Sequence, residues 1–212
     1  MYEQKTEDYF RSERTELIRF FGRPVESVLD IGCGAGANAG LYRDVLGART
    51  LAGIEIVPDA ALEARERFDV IEVGPVEETL ARYAGRTFDL IVCADVLEHL
   101  ADPWEALRQM KTVSHPGTAL LCSLPNLRNA RVLADLVLKG EFEYREAGIL
   151  DRTHLRFFTK KSISGMLRST GWPPERWSHN PFAGKTRLLH RASLGRLEEF
   201  LVTQYYVVAR NG

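Results

Sequence analysis

Two groups of residues in this sequence are of types and at spacings that could carry chemistry, and the first is a glycine loop followed by an acid. Gly32, Gly34 and Gly36 stand at alternate positions after a short apolar run, and Glu55 follows nineteen residues after the last of them. Glycine allows positive φ and lets a ligand approach without a Cβ in the way. A carboxylate after the next strand can accept hydrogen bonds from two ribose hydroxyls. The pairing predicts a nucleoside-binding site.

The glycines alone leave the kind of nucleoside open, because Gly32-x-Gly34-x-x-Ala37 also fits the relaxed fingerprint of an NAD enzyme. Three features favour a different nucleoside. Asp30 would repel a pyrophosphate and attract a cationic ligand tail. The glycines are compressed to alternate positions, and a later apolar run is followed by Ala94-Asp95-Val96-Leu97-Glu98-His99-Leu100.

The second group lies in the stretch 148–159, which contains Asp151, Arg152, His154 and Arg156 interleaved with aromatic residues. An Asp–His pair three residues apart could act as an oriented general base, because the carboxylate would fix the tautomer of the imidazole. The alternative interpretation is that these side chains only hold the segment onto the rest of the fold through hydrogen bonds.

Two other residues are candidates beside this second group. His99 is a rival base, and its alternative is a structural role. Asn126 could orient an acceptor, or it could simply cap the next helix. We therefore predict His154, Asp151 and His99 as catalytic residues. Substrate contacts are predicted for Asn126, Arg152 and Arg156.

Short apolar runs predict the strands that must position these residues, at 27–31, 49–55, 69–73, 88–93 and 118–123. Helices are predicted between them at 37–46, 59–67, 76–83 and 103–113, with Pro58, Pro75 and Pro103 in their first turns. Strands that are apolar almost without alternation, separated by single helices, indicate a parallel sheet covered on both faces. Such doubly wound α/β folds bind ligands at the carboxyl ends of their strands.

The remaining segments predict one domain over residues 1–212 with a small cap. Residues 5–21 indicate an amphipathic helix within the N-terminal segment 1–22, and its Tyr9, Phe10 and Arg14 could fold over a ligand. Further helices are predicted at 126–139 and 160–170, with Thr159 capping the second. We interpret 124–159 and 181–199 as insertions that form the cap.

Composition limits the class of protein. The chain has 212 residues, 45% of them hydrophobic and 27% charged, and a formal net charge of −1. This balance is typical of a globular protein with a core and gives no electrostatic argument for nucleic acid or an anionic membrane. We expect no membrane span and no signal peptide. The three cysteines have no CxxC spacing and are expected to be buried and reduced in a cytoplasmic protein. No feature requires a metal.

The ordered set of motifs resembles the class I S-adenosylmethionine-dependent methyltransferases. The shared pieces are the segment 29–36, Glu55, the segment 88–91, the Glu98-His99-Leu100 segment and the strand-like run 207–210. The resemblance implies S-adenosylmethionine as cofactor and S-adenosylhomocysteine as product. It also implies a seven-stranded Rossmann-like sheet of order 3-2-1-4-5-7-6 with an antiparallel seventh strand. Residues 201–210 fit that strand, and 175–180 fit the sixth.

The resemblance also implies roles for single residues. Gly32, Gly34 and Gly36 would pack under the methionine and ribose, with Asp30 near the ammonium group. Glu55 would bind the ribose diol, Ile56 would lie against the adenine, and Asp95 would face the methionine end. The family often has an acid near the adenine after its third strand. Here no acid precedes Glu77 in that stretch, so we do not carry that contact over.

The predicted reaction is methyl transfer to a small polar acceptor. A hydroxyl acceptor must lose a proton, which calls for a base, whereas a neutral nitrogen hardly needs one. Similar Asp-Arg-Thr-His-Leu-Arg-Phe-Phe stretches occur in methyltransferases of bacterial sugar, polysaccharide and metabolite pathways. We therefore expect a sugar or metabolite hydroxyl as the acceptor and a monomer or homodimer. The alternatives are nitrogen or carboxyl methylation, a non-catalytic binding subunit, and, least favoured, a nucleic-acid methyltransferase.

Overall fold

The computed structural model describes residues 11–212, which form a seven-stranded sheet flanked by helices. The strands are β1 Ser27–Ile31, β2 Thr50–Glu55, β3 Val70–Val73, β4 Phe88–Ala94, β5 Ser114–Pro125, β6 Pro174–His179 and β7 Gln204–Arg210. The helices are α1 Thr15–Phe21, α2 Ala39–Leu46, α3 Pro58–Ala64, α4 Val76–Thr79, α5 Pro103–Gln109, α6 Ala130–Ala134, α7 Lys160–Ser169, α8 Gly184–Ala192 and α9 Glu198–Leu201.

The strand order is β3-β2-β1-β4-β5-β7-β6, which confirms the predicted Rossmann-like fold. Strands β1 to β5 pair in parallel, and β7 lies antiparallel between β5 and β6. The carboxyl ends of β1, β2 and β4 therefore meet at one edge of the sheet, where their connections carry the predicted chemistry.

Each face of the sheet packs against its own apolar core, because successive side chains of a strand point to opposite faces. On β1, Leu29 and Ile31 belong to one core, whereas Val28 belongs to the other. Trp172 is fully buried in the first core, and its indole N–H donates to the Leu107 carbonyl at 2.9 Å. All three cysteines are buried and free, as predicted.

The helices begin close to the predicted positions but are shorter. Pro58 and Pro103 open α3 and α5, where a missing N–H costs nothing, and Pro75 immediately precedes α4. The helix predicted at 126–139 begins only at Ala130, with Asn129 as its N-cap, and ends in a π-helical turn, Asp135–Lys139. Thr159 caps α7, as predicted.

The cap segments follow β5 and β6. The first includes α6 and an irregular stretch from 140 to 159, and the second includes α8 and α9. Of the predicted leading helix, residues 5–10 lie outside the described residues, and the described part begins at Thr15. Across residues 11–212, no helix has both the length and the apolar character to cross a membrane.

Candidate active site

A cavity of about 490 Å³ opens at the carboxyl ends of β1, β2 and β4. Its volume falls within the range of roughly 300–1,000 Å³ that is usual for small-ligand sites. Its wall includes five of the residues predicted to bind the cofactor, namely Gly32, Gly34, Glu55, Ile56 and Asp95. Sequence motifs from three separate strands thus meet around one space.

The glycine loop and Glu55 are joined directly. The Gly34 N–H donates to Oε2 of Glu55 at 2.8 Å, and the Val57 N–H donates to Oε1 at 2.9 Å. Both hydrogen bonds favour the charged carboxylate, although burial still raises the pKa of Glu55 above its ordinary value. Gly32 has φ +72°, and a Cβ there would lie 2.7 Å from Cγ2 of Val96. The loop can follow this path only without a side chain.

Two predicted cofactor residues, Asp30 and Gly36, are not part of the cavity wall. Asp30 is 1% exposed and accepts a hydrogen bond from the Tyr42 hydroxyl at 2.7 Å. Burial raises the pKa of Asp30 to about 7. At Gly36 a Cβ would lie 3.1 Å from Cα of Ala64, so this glycine permits close packing of the loop against α3. Asp30 thus lies behind the glycine loop, and Gly36 is the part of the loop that packs against α3.

Asp95 has a strained backbone and a fully engaged carboxylate. Its φ is +58°, in the left-handed region that a non-glycine residue rarely adopts. Oδ1 accepts hydrogen bonds from the Ser123 hydroxyl at 2.7 Å and from the Gln204 amide. Oδ2 forms an ion pair with Nη2 of Arg14 at 2.9 Å. Residues from three distant parts of the chain therefore fix the Asp95 carboxylate at the cavity wall.

A second cavity of about 240 Å³ lies beside the first. The two cavities share Arg14, Asp95 and His99 in their walls. The second is otherwise bounded by the cap, β7 and the segment after β4, through Glu98, Pro125, Ala147, Gly148, Ile149, Asp151, His154, Thr203 and Gln204. A ligand in the larger cavity and a ligand in the smaller one would meet at the shared wall.

Two histidines stand together at this wall, with ring centroids 4.8 Å apart. Nδ1 of His99 donates to the Thr153 carbonyl, and Nδ1 of His154 donates to the Ile149 carbonyl, both at 3.0 Å. Because a carbonyl can only accept, each ring carries its hydrogen on Nδ1, and Nε2 is the basic nitrogen. Burial, together with the nearby His154, lowers the pKa of His99.

Asp151 is held in the same cap segment. Its Oδ1 accepts hydrogen bonds from the N–H and the hydroxyl of Thr153, at 2.9 and 2.7 Å. Because the Thr153 carbonyl accepts the hydrogen bond from the His99 ring, Asp151 is linked to His99 through Thr153. The predicted catalytic residues His154, Asp151 and His99 thus all lie in the wall of the smaller cavity.

Glu98 also lies in this wall, and its sequence position gave no signal of a special environment. It is fully buried, and within the described chain neither carboxylate oxygen has a hydrogen-bond partner. Burial, with Asp95 nearby, raises the pKa of Glu98 well above its ordinary value. Ligand atoms of Glu98, His99 and His154 lie within 4.8 Å of one another, close enough to hold a metal ion. Sequence spacing pairs no histidines in this way, but the fold does.

The predicted substrate residues Asn126, Arg152 and Arg156 lie outside the walls of both cavities. Asn126 is fully buried, and its amide donates to the carbonyls of Glu199 and Val202 at 2.8 and 2.9 Å. Arg152 forms an exposed ion pair with Glu146 at 2.8 Å. Arg156 donates to the Ala101 carbonyl. Each of these three side chains contacts another part of the cap or a neighbouring segment of the chain.

Some wall residues were not among the predicted site residues. Glu77 follows β3 and lies in the wall of the larger cavity, and Gln204 begins β7 in the smaller one. For Arg14, the sequence predicts only that it could fold over a ligand. Tyr9 and Phe10, considered with it, lie outside the described residues.

Comparisons with known proteins agree on the kind of fold. A family model described as a methyltransferase domain matches residues 3–175. A ubiquinone biosynthesis O-methyltransferase of Ralstonia nicotianae is 27% identical over 186 residues, covering 80% of this chain and 74% of that protein. A protein of the same name from Cereibacter sphaeroides is 32% identical over 152 residues, covering 69% of this chain but only 60% of its own length.

Among solved structures, a SAM-dependent methyltransferase from Archaeoglobus fulgidus superposes with a TM-score of 0.66 at 17% identity. The match covers 98% of this chain and 95% of the archaeal one. At this identity the likeness concerns the fold.

Proposed function

Because this chain belongs to the S-adenosylmethionine-dependent methyltransferases, we propose that it methylates a hydroxyl group of a small polar acceptor, such as a sugar or another metabolite. S-adenosylmethionine is the cofactor, and S-adenosylhomocysteine is the product. When bound, the cofactor supplies a sulfonium methyl group for in-line transfer to a nucleophile. The proposal depends above all on the wall shared by the two cavities, at Arg14, Asp95 and His99.

The residues of the larger cavity fit this cofactor. Glu55 presents a buried carboxylate that would bind the ribose hydroxyls, and Gly32 and Gly34 of the glycine loop line the same cavity. Arg14 and Asp95 offer opposite charges side by side, which suits the zwitterionic end of an amino acid. Asp30 and Gly36 are not in the cavity wall, so they would contribute by holding the shape of the glycine loop.

The smaller cavity would hold the acceptor next to the methyl group. Methyl transfer depends mainly on alignment, and correct positioning can contribute roughly 7–11 kcal/mol in favourable cases. His99 faces both cavities, so a group bound beside it would lie at the boundary between acceptor and cofactor.

The histidine pair supports a hydroxyl as the group methylated. Nε2 of His99 or His154 would accept the hydroxyl proton as the new bond forms. The lowered pKa of His99 keeps its ring neutral near pH 7, and therefore able to accept a proton. Asp151 would act as a positioning residue, because it holds Thr153 and Thr153 holds His99. The two relatives described above are also named O-methyltransferases.

Nitrogen or carboxyl methylation is the second candidate, and a non-catalytic binding subunit is the third. Neither requires a base. Both candidates would use the same cofactor cavity, so only the dependence of turnover on the histidines separates them from hydroxyl methylation.

The test is to screen hydroxyl, amine and carboxyl acceptors for S-adenosylhomocysteine formation, and then to compare His99→Gln and His154→Gln with the wild type. For a hydroxyl acceptor, loss of the base should lower kcat by about 10²–10⁴-fold. Arg152→Gln, an exposed change in the same cap segment, serves as the control and should keep full activity.

S-adenosylhomocysteine affinity, measured by calorimetry, should be the same as in the wild type for His154→Gln and Arg152→Gln, because neither residue is in the wall of the larger cavity. If both histidine variants turn over a hydroxyl acceptor like the wild type across pH, the proposed base is wrong. If only amines or carboxylates are methylated, the second candidate replaces the first.

A further inference from the structure

A third cavity, of about 230 Å³, lies between the start of α1 and strands β5 and β7. It shares Arg14 and Gln204 with the wall of the smaller cavity, so the two spaces are neighbours. A ligand whose reacting group lies beside the histidines could therefore extend into the third cavity.

One side of the third cavity is formed by the side chains that fix Asp95. Arg14, Ser123 and Gln204 all line it, and all three bind the Asp95 carboxylate. The Ser123 hydroxyl uses its one hydrogen in this contact, and the charge of Arg14 is balanced by that of Asp95. This side of the cavity therefore carries no net charge.

The segment that begins α1 brings two further carboxylates to the wall, those of Glu13 and Glu16. Both residues are exposed, and within residues 11–212 neither forms an ion pair. Glu13 accepts a hydrogen bond from the Thr15 hydroxyl, at the long distance of 3.5 Å. Because the other side of the cavity is neutral, these two carboxylates make the wall negative as a whole.

Tyr206 of β7 contributes to the same wall. It is 8% exposed, and its ring packs against Phe20 of α1 with the centroids 6.5 Å apart. Among the described residues its hydroxyl has no hydrogen-bond partner, although buried polar groups usually have one. Burial, with Glu16 and Asp95 nearby, raises the pKa of Tyr206 to about 12, so the hydroxyl is uncharged at neutral pH. The third cavity therefore combines a buried tyrosine with two carboxylates.

A positively charged amine matches this wall better than a neutral or acidic group does. An ammonium group donates hydrogen bonds and accepts none, whereas carboxylates only accept, and the tyrosine oxygen can accept as well. Hydrogen bonds in which a partner is ionised are roughly twice as strong as those between neutral groups. A carboxylate or phosphate of a ligand would be repelled by Glu13 and Glu16.

We propose that the third cavity binds a positively charged amine of the methyl acceptor, at Glu13, Glu16 and Tyr206. The hydroxyl that receives the methyl group would lie in the smaller cavity, beside His99 and His154. This inference rests on the proposed function for the identity of the reacting group. It adds the class of the acceptor, a compound with a hydroxyl group at one end and an amine at the other.

The experiment compares three probes that share a catechol ring and differ in the charge of the side chain. Dopamine carries an ammonium group, 4-ethylcatechol is neutral, and 3-(3,4-dihydroxyphenyl)propionate carries a carboxylate. Their affinities are measured by calorimetry in the presence of S-adenosylhomocysteine. The wild type should bind dopamine about 5- to 10-fold more tightly than 4-ethylcatechol, and the propionate more weakly than either. Raising the salt concentration should reduce the preference for dopamine, because exposed charges are screened.

The double variant Glu13→Gln/Glu16→Gln should lose the preference for dopamine and bind 4-ethylcatechol as the wild type does. Tyr206→Phe keeps the ring and should lower the affinity for dopamine alone. The matched control is Glu66→Gln/Glu78→Gln, which removes the same charge at two exposed residues outside the walls of the three cavities. The control should keep the preference of the wild type.

The inference is overturned if the wild type binds dopamine no more tightly than 4-ethylcatechol. It is also overturned if Glu13→Gln/Glu16→Gln keeps the preference, if Tyr206→Phe binds dopamine as the wild type does, or if the control loses the preference to the same degree.

Turnover of the same probes separates this inference from the proposed function. If no probe is methylated on a hydroxyl, but only the cavity variants lose the preference for dopamine, the hydroxyl chemistry fails and the amine subsite stands. If dopamine and 4-ethylcatechol are both methylated on a hydroxyl, and the ratio of their KM values is the same in the wild type and in Glu13→Gln/Glu16→Gln, the chemistry stands and the subsite fails.

Discussion

At the scale of single residues, the Glu55 carboxylate holds the glycine loop in place and would also bind the ligand hydroxyls. Each of its oxygens accepts a hydrogen bond from a backbone N–H, one from the glycine loop and one from the turn after β2. These contacts fix the carboxylate at the cavity wall before any ligand arrives. A preorganised acceptor loses little freedom when the ligand hydroxyls bind.

Glu55→Gln should therefore weaken S-adenosylhomocysteine binding on the order of 10- to 100-fold. The amide cannot accept on both sides, and a hydrogen bond to a charged group contributes about 1.5–3 kcal/mol. Calorimetric titration measures the loss. Glu72→Gln, on the adjacent strand and paired with Arg82 outside the cavity, should bind like the wild type. Equal affinities for the wild type and Glu55→Gln would remove Glu55 from the proposed site.

At the scale of elements, Asn126 joins the end of β5 to the segment that precedes β7. Its amide donates to two carbonyls of that segment, and its Oδ1 accepts from the Arg128 N–H at 3.1 Å. The side chain thus fixes how the two cap insertions meet, and it has no direct access to an acceptor.

Asn126→Ala should lower the free energy of unfolding by roughly 1–3 kcal/mol, because it removes the donor to the Glu199 carbonyl and to the carbonyl of the buried Val202. Urea unfolding followed by circular dichroism measures the change. The affinity for S-adenosylhomocysteine should stay the same, since Asn126 is not in the wall of the larger cavity. Wild-type stability together with a raised KM for the acceptor would restore the substrate role that the sequence suggested.

The sequence predicted the strands well, and five of the residues predicted to bind the cofactor do share one cavity wall, because both predictions depend on local patterns. Apolar runs mark β1, β2 and β4, and a glycine loop followed by Glu55 needs only its neighbours to be recognised. The acceptor side depends on contacts between distant segments. Arg14 forms an ion pair with Asp95, and Gln204 of β7 donates a hydrogen bond to it. Arginine and glutamine are common on any protein surface, so the sequence does not mark these two residues. The hydrogen bonds of Asn126 could not be predicted for the same reason, since the two carbonyls to which its amide donates lie more than seventy residues away.

At the scale of the whole molecule, the fold buries carboxyl groups in and around the site. Asp30, Glu55 and Glu98 all have pKa values raised above the ordinary range, chiefly by burial. Each group therefore binds a proton more tightly in the folded chain than in the unfolded one. Its contribution to stability is complete below the unfolded pKa, near 4, and is lost as the pH rises through the folded value.

For Asp30 that loss should extend from about pH 4 to about pH 7. Asp30→Asn removes this group and should make the decline in unfolding free energy over that range shallower. Relative to the wild type, the variant should therefore gain stability at pH 8. Urea unfolding at several pH values from 5 to 8 measures both slopes. Parallel curves for the two proteins would show that Asp30 does not contribute to the pH dependence.

Strand β7 follows β6 in the sequence but lies between β5 and β6 in the sheet. The residues of the two cavities are therefore synthesised at different times. Apart from Leu155, the wall of the larger cavity is drawn from residues 12–101, whereas the smaller cavity also needs Thr203 and Gln204. A ribosome adds roughly 5–20 residues per second, so Gln204 follows residue 101 by about 5–20 s. During that interval the nascent protein has almost all the residues of its cofactor site, while β5 awaits its antiparallel neighbour. The smaller cavity is therefore complete only once β7 has been added between β5 and β6.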